Sequence, residues 1–300
     1  TLLGLAPAGF GTVFSVSSGS EAVENAVKFA RQHHVAVGAP ARALVVSRWQ
    51  SYHGNTLGAL ACSGFTGRRR KHAPMLHGVV HIPPAFCYRC PFEQTHPGCG
   101  LLCARALETA ILQEGPENVA AFIAEPVVGA ALGGAPAPAG YFQKVREICS
   151  RHGVLFIADE VQCGLGRTGA NFAIDHWGVA PDLITTGKGM GSGYFPMAAC
   201  LLSDAVVDAV RERQGSFEGV HTCCGHLLGS HAASAVLGYM LRHRLGENAR
   251  AQGTRLLEGL REMQAGLPSV GDVRGLGLMC GVEFVRDRAT KEPFDPGLKV

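Results

Sequence analysis

The feature that most narrows the fold is a pair of apolar runs within residues 153–191. The first ends in Ile157-Ala158-Asp159-Glu160-Val161-Gln162 and leads into Gly164-Leu165-Gly166-Arg167-Thr168-Gly169. The second runs from Pro181-Asp182-Leu183-Ile184 through Thr185-Thr186 to Gly187-Lys188-Gly189. Short runs that are apolar on consecutive positions predict strands buried on both faces. In an open α/β sheet such strands deliver their last residues into a crevice between loops, which is where ligands bind. Each run brings one charged residue to that edge, Asp159 and Lys188.

The rest of the chain continues the pattern. Residues 12–16 read as a buried strand, after which Ser17-Ser18-Gly19-Ser20 opens a helix with Ala22, Val23, Ala26, Val27 and Ala30 on one face. Ser18 or Ser20 caps this helix, and Glu21 lies in its first turn, where the helix dipole favours a carboxylate. Residues 43–47 form the next strand, and 50–56 turn into a short helix. Residues 64–100, rich in Pro, Gly, His and Cys, read as an irregular surface excursion. A helix over 101–113, a strand over 120–126 that carries Glu125 near its end, and a helix over 141–152 follow. This alternation, continued to residue 202, predicts an α/β fold: a mostly parallel sheet with crossover helices. Helices over 227–242 and 247–265 and strands within 273–284 predict a division into a large domain, 1–242, and the start of a smaller α+β domain, 243–300.

The bulk numbers exclude several classes. With 47% apolar residues and a mean hydropathy of +0.14, 300 residues can bury a large core, so general disorder is excluded. The net charge is +3, and the one dense basic run, Arg68-Arg69-Arg70-Lys71, has no aromatic interleaving, so no nucleic-acid partner is expected. No stretch approaches the roughly 20 apolar residues of a membrane span. Eleven cysteines, an odd number and several within apolar segments, point to a reducing compartment. We expect the cytoplasm, with the mitochondrial matrix left open. The chain starts at Thr1 almost directly before a strand and stops in a loop-like stretch, so it reads as a fragment lacking material at both ends.

A carboxylate and an amine at one rim are what an aldehyde cofactor with a ring nitrogen needs. The amine condenses with the aldehyde, and the carboxylate keeps the ring nitrogen protonated so that the ring withdraws electrons. A phosphate loop is the competing reading of Gly187-Lys188. It fails because position 182 is Asp rather than Gly and position 189 is Gly rather than Ser or Thr.

In this order and spacing, the motifs resemble class III pyridoxal-phosphate-dependent aminotransferases of fold type I. The resemblance runs from Ser17 to about Pro296, and is nearest to members grouped with 4-aminobutyrate and ω-amino-acid aminotransferases. It implies pyridoxal 5′-phosphate as cofactor, Lys188 as the Schiff-base lysine and proton carrier, and Asp159 as partner of the pyridine nitrogen. Val161 would lie against one face of the ring and Tyr52, from Ser51-Tyr52-His53-Gly54, would stack on the other. Gln162 would bond the phenolic oxygen. Gly19 and Ser20, at a helix start, would hold the phosphate. Glu125 would lie on the substrate's approach. Thr222, in Gly219-Val220-His221-Thr222, would reach the phosphate of the neighbouring subunit, which implies a homodimer with shared sites. The stretch Cys223-Cys224-Gly225-His226-Leu227 departs from the family by lacking a proline, and His231 falls in a helix normally rich in small residues. An arginine that the family's C-terminal segment often contributes for the substrate carboxylate is absent from this chain.

The implied reaction is transfer of an amino group from an amino acid or ω-amine donor to a 2-oxo acid. Racemisation, decarboxylation or phospho-lyase chemistry on the same fold is the alternative, as is a truncated, non-catalytic relative acting as a dimer partner. Cys87, Cys90, Cys99 and Cys103 have a C-x2-C, x8, C-x3-C spacing that permits zinc or an iron–sulfur cluster, or equally four reduced thiols. No metal is assigned to the site.

Overall fold

The computed structural model describes residues 1–298; the last two positions of the expected 243–300 domain lie outside the described residues. Strands β1 (Phe10–Val16), β2 (Leu44–Arg48), β3 (Val79–Ile82) and β4 (Val119–Ala124) come first, followed by a two-residue ribbon, β5 (Val127–Val128) with β6 (Ala135–Pro136). Strands β7 (Leu155–Asp159), β8 (Leu183–Thr186) and β9 (Ala198–Ser203) complete a seven-stranded sheet of order β1-β9-β8-β7-β4-β2-β3. The five strands from β3 to β8 are mutually parallel, while β9 runs antiparallel to both β8 and β1. The expected α/β fold, a mostly parallel sheet flanked by helices, is what the chain forms.

Every residue of β4, β7 and β8 is buried, because helices cover both faces. On one face Phe122, Phe156 and Ile184 pack with α4 (Leu102–Glu114) and α5 (Tyr141–His152). On the other, Ala121, Ile123, Leu155, Ile157 and Leu183 pack against Val23, Ala26 and Phe29 of α1 (Gly19–Ala36), with α2 (Leu57–Cys62) beside it. This split follows the two-residue alternation of a strand. It places Asp159, two residues after Ile157, on the face that α1 covers.

Ser18 is the cap of α1, its Oγ accepting the Glu21 N–H, and Glu21 reaches back to accept the Ser17 N–H at 2.7 Å. Ser20 is therefore left to other work. The excursion expected over 64–100 needs correction. It holds a short α3 (Thr66–Arg69) and the edge strand β3, paired in parallel with β2. Four residues, only the last of them buried and followed at once by Pro83-Pro84, carry too little periodicity to stand out.

After β9, α6 (Asp204–Gln214) packs back on α1, and α7 (Leu227–Arg242) and α8 (Leu245–Gly266) lead to the hairpin β10 (Val270–Leu276) and β11 (Met279–Phe284). Leu278 N–H donates to Arg167 O at 3.0 Å, and Arg274 Nε donates to Leu132 O at 3.1 Å. The hairpin thus rests on the loops that follow β5 and β7.

Candidate active site

Asp159 ends β7 in register with Thr185 of β8. Its carboxylate is 3% exposed and bonded at both oxygens: Oδ1 accepts the Val161 N–H and the Thr185 hydroxyl, each at 3.0 Å, and Oδ2 lies 2.6 Å from His53 Nδ1. Three residues past Thr185, Lys188 has φ +37°. Holding a side-chain-bearing residue in that left-handed region costs roughly 1–3 kcal/mol and is a mark of functional turns. Among the described residues Lys188 is in no ion pair, and its side chain lines a cavity of about 200 Å³.

That cavity is the meeting place of the motifs. Asp159, Val161 and Gln162 from the turn after β7, Lys188 from the turn after β8, Gly19 and Ser20 from the start of α1, Tyr52 with His53 and Gly54, and Glu125 after β4 all line it. A side chain on Gly19 would collide with Val161, whose Cγ1 would be 2.6 Å from the added carbon. Gly54, at φ +142°, packs so closely on Ser20 that a Cβ would lie 2.6 Å from Ser20 Oγ, and Ser20 Oγ accepts the Asn55 N–H at 3.0 Å. The first-turn N–H groups of α1 have no intrahelical acceptor and carry the positive end of the dipole, so this wall suits an anion.

Tyr52 N–H donates to Glu125 Oε2 at 3.1 Å, and Gly129 N–H donates to Oε1 at 3.3 Å. Glu125 therefore ties two loops together at the rim. Burial pushes its carboxyl up, and the nearby Asp159 adds to this while His53 opposes it. The Tyr52 ring lies under the Arg68 guanidinium, 4.6 Å from its centroid. Gln162 and Lys188 also line a second, larger cavity of about 1160 Å³ between α7, α8 and the 164–167 turn.

Thr222 is the one expected site residue that the structure does not bring to the cavity. It is exposed in the turn before α7, where the neighbouring His221 Nε2 lies 2.7 Å from Asn25 Nδ2. Two residues that the sequence did not mark, His53 and Thr185, hold Asp159. The only signal for His53 was its place inside the Tyr52 motif. Cys87, Cys90, Cys99 and Cys103 are free thiols lining a separate pocket of about 10 Å³, and among the described residues no group of three or more His, Cys, Asp or Glu is arranged to hold a metal.

The residues present fit pyridoxal phosphate: a buried acid for a ring nitrogen, an unpaired amine, a helix start for a phosphate, and a tyrosine and a valine for the ring. Comparison with known proteins agrees. The family described as aminotransferase class-III matches residues 1–298. The chain is 40% identical over 283 residues to the uncharacterized aminotransferase YodT of Bacillus subtilis, covering 94% of this chain and 64% of that protein. It is 39% identical over 290 residues to the taurine–pyruvate aminotransferase of Bilophila wadsworthia, covering 95% and 63%. Among solved structures, the PLP-bound amine transaminase from an uncultivated Pseudomonas species superposes with a TM-score of 0.93 at 38% identity, covering 97% of this chain and 66% of that one. The chain thus spans somewhat under two thirds of the curated relatives it matches. Fold, motif order and whole-chain similarity agree that this chain belongs to the class-III aminotransferases.

Proposed function

We propose that the full-length protein is a pyridoxal-5′-phosphate-dependent aminotransferase that moves an amino group from an amino acid or ω-amine donor to a 2-oxo acid. The observation that carries this is the single cavity bounded by Lys188, Asp159 and the start of α1. Bound there, the cofactor supplies an aldehyde that exchanges an amine for a keto oxygen and a ring that draws electrons from the reacting carbon. Gly19 and Ser20 would hold its phosphate through N–H groups and a hydroxyl, and Asp159 would accept the ring N–H. Val161 and Tyr52 would flank the ring, and Gln162 would bond its phenolic oxygen. Lys188 Nζ would take up and return the proton that leaves the substrate carbon, a role that its freedom from ion pairing suits. Glu125 would shape the approach by fixing the Tyr52 and Gly129 backbones.

The exposure of Thr222 favours a homodimer in which it reaches the partner's phosphate. The names of the relatives favour transamination over racemisation, decarboxylation or phospho-lyase chemistry. The free cysteines suit a reducing compartment such as the cytoplasm.

The test uses the full-length protein and its Lys188→Ala variant. The wild type should show a cofactor absorbance band at the edge of the visible and, after borohydride, a pyridoxyl tag on the peptide carrying Lys188. Both should be lost in the variant. Formation of alanine from pyruvate with an amine donor then identifies a transaminase, and no alanine with any donor of a broad panel refutes the assignment.

A further inference from the structure

Asn25 is fully buried within α1, and its Oδ1 has no hydrogen-bond partner. Asparagine is a poor helix former, and an unmade bond in the interior is costly, so the position needs a reason. The amide nitrogen supplies it. Nδ2 donates to Glu21 O at 2.8 Å and lies 2.7 Å from His221 Nε2. Glu21 O can only accept, which fixes the orientation of the amide. Its second hydrogen therefore goes to Nε2, and the imidazole is neutral with its own hydrogen on Nδ1.

Asn25, Phe29 and Gln32 fall on one stripe of α1, spaced by four and then three residues. The connection from α6 to α7 runs along that stripe in the opposite direction. Gln32 Nε2 donates to Ser216 O at 3.0 Å, and Gln32 Oε1 accepts the Glu218 N–H at 2.9 Å. The Phe217 ring packs 4.6 Å from that of Phe29, and His221 meets Asn25. The far end is fastened to β1, where Gly225 N–H donates to Ser15 Oγ at 2.8 Å. Between these last two ties a turn closes, with Cys224 N–H donating to His221 O at 3.0 Å, and Thr222 stands exposed on it. The connection is thus a strap, and its tie nearest to Thr222 is the bond from Asn25.

We propose that Asn25 is a positioning residue for Thr222. By donating to His221 Nε2, it sets where along α1 the strap lies, and so presents Thr222 to the phosphate held by the neighbouring subunit. This rests on the proposed function, in which Thr222 reaches that phosphate. One helix then serves two sites: its own through Gly19 and Ser20 at its start, and the partner's through the strap on its flank.

The experiment measures the dissociation constant for added pyridoxal phosphate, from its absorbance and fluorescence, in the full-length protein. Thr222→Ala, which removes a hydrogen bond to a charged group, should weaken binding about tenfold or more. Asn25→Ala, which removes a neutral bond, should weaken it about fivefold. With Thr222→Ala already present, Asn25→Ala should cost less than about twofold, because the residue it serves is gone. With Ser20→Ala present, the fivefold loss should persist, since Ser20 belongs to the other site. His221→Gln, whose side-chain oxygen reaches the Nε2 position and still accepts, should bind within about twofold of the wild type. His221→Leu should match Asn25→Ala. The two His221 variants alter a half-buried residue outside the helices and decide the matter if Asn25→Ala does not fold. Equal losses from Asn25→Ala with and without Thr222, or Gln and Leu variants that behave alike, overturn this inference alone. Wild-type affinity in Thr222→Ala overturns the role given to Thr222 and this inference with it, while a wild type that takes up no cofactor overturns the proposed function.

Discussion

Replacing Gly19 by Ala is the most informative single perturbation of the cavity wall, because its sign depends on one neighbour. The added methyl would lie 2.6 Å from Val161 Cγ1 and 3.2 Å from Cγ2. Ordinary carbon contacts lie at about 3.5–4.0 Å, so the neighbour must move or the helix start must shift. Overpacking of this kind costs about 1–3 kcal/mol. Gly19 opens α1 at a φ that alanine tolerates, and alanine recovers up to about 1 kcal/mol of helix propensity there. The net expectation is a loss of about 1–2 kcal/mol. Val161→Ala removes both γ-carbons and leaves Cβ at 3.5 Å from the new methyl, an ordinary contact. In that background Gly19→Ala should stabilise by up to about 1 kcal/mol, which gives a coupling of about 2 kcal/mol between the two sites. Urea unfolding of the four proteins, with equal m-values, measures it. The same change in both backgrounds would refute the claim that Val161 is wedged against the start of α1.

Two further outcomes follow from burial. Glu160 accepts the Ala173 and Ile174 N–H groups inside the core, and burial pushes its carboxyl from 4.5 up to about 7. A raised folded-state value means that its contribution is complete below pH 4.5 and is lost as pH rises through 7. Relative to Glu160→Gln, the wild type should therefore lose about 3 kcal/mol of stability across that window, and parallel stability curves would show the assignment wrong. For the cysteines, burial raises the thiols of Cys62 and Cys149 to about 12 and those of Cys163 and Cys200 also upward. Mass spectrometry after alkylation of the native protein should find Cys87 labelled and these four labelled only in denaturant, while protection of the exposed Cys223 should track dimer formation.

The chain's own pattern carried most of the architecture. Helices α5 and α7 fall on the residues that periodicity predicts, since α5 is amphipathic and bounded by Gly140 and Gly153, both at positive φ. The buried strands were legible because both faces are covered and their apolar runs are unbroken. The edge strand β3 was not, because half of its surface faces outward and prolines follow it. Of the site residues expected from sequence motifs, all but Thr222 line one cavity. The bonds that fix Asp159 were invisible, since His53 and Thr185 are ordinary residues in sequence and meet the acid only through sheet order. Thr222 carries no signal of where its side chain acts, because the contact expected of it lies on another subunit.

The register of β7 with β8 has a consequence for how this chain tolerates change. Asp159 sits opposite Thr185, and Lys188 follows by a fixed count along the same strand end. The spacing of acid and amine is thus set by two adjacent ladder rungs. Insertions in the long connection between these strands, or in the excursion beyond α2, would leave that spacing untouched. A single-residue deletion inside β7 would turn the acid to the opposite layer of the molecule and abolish the site while the remaining strands still paired.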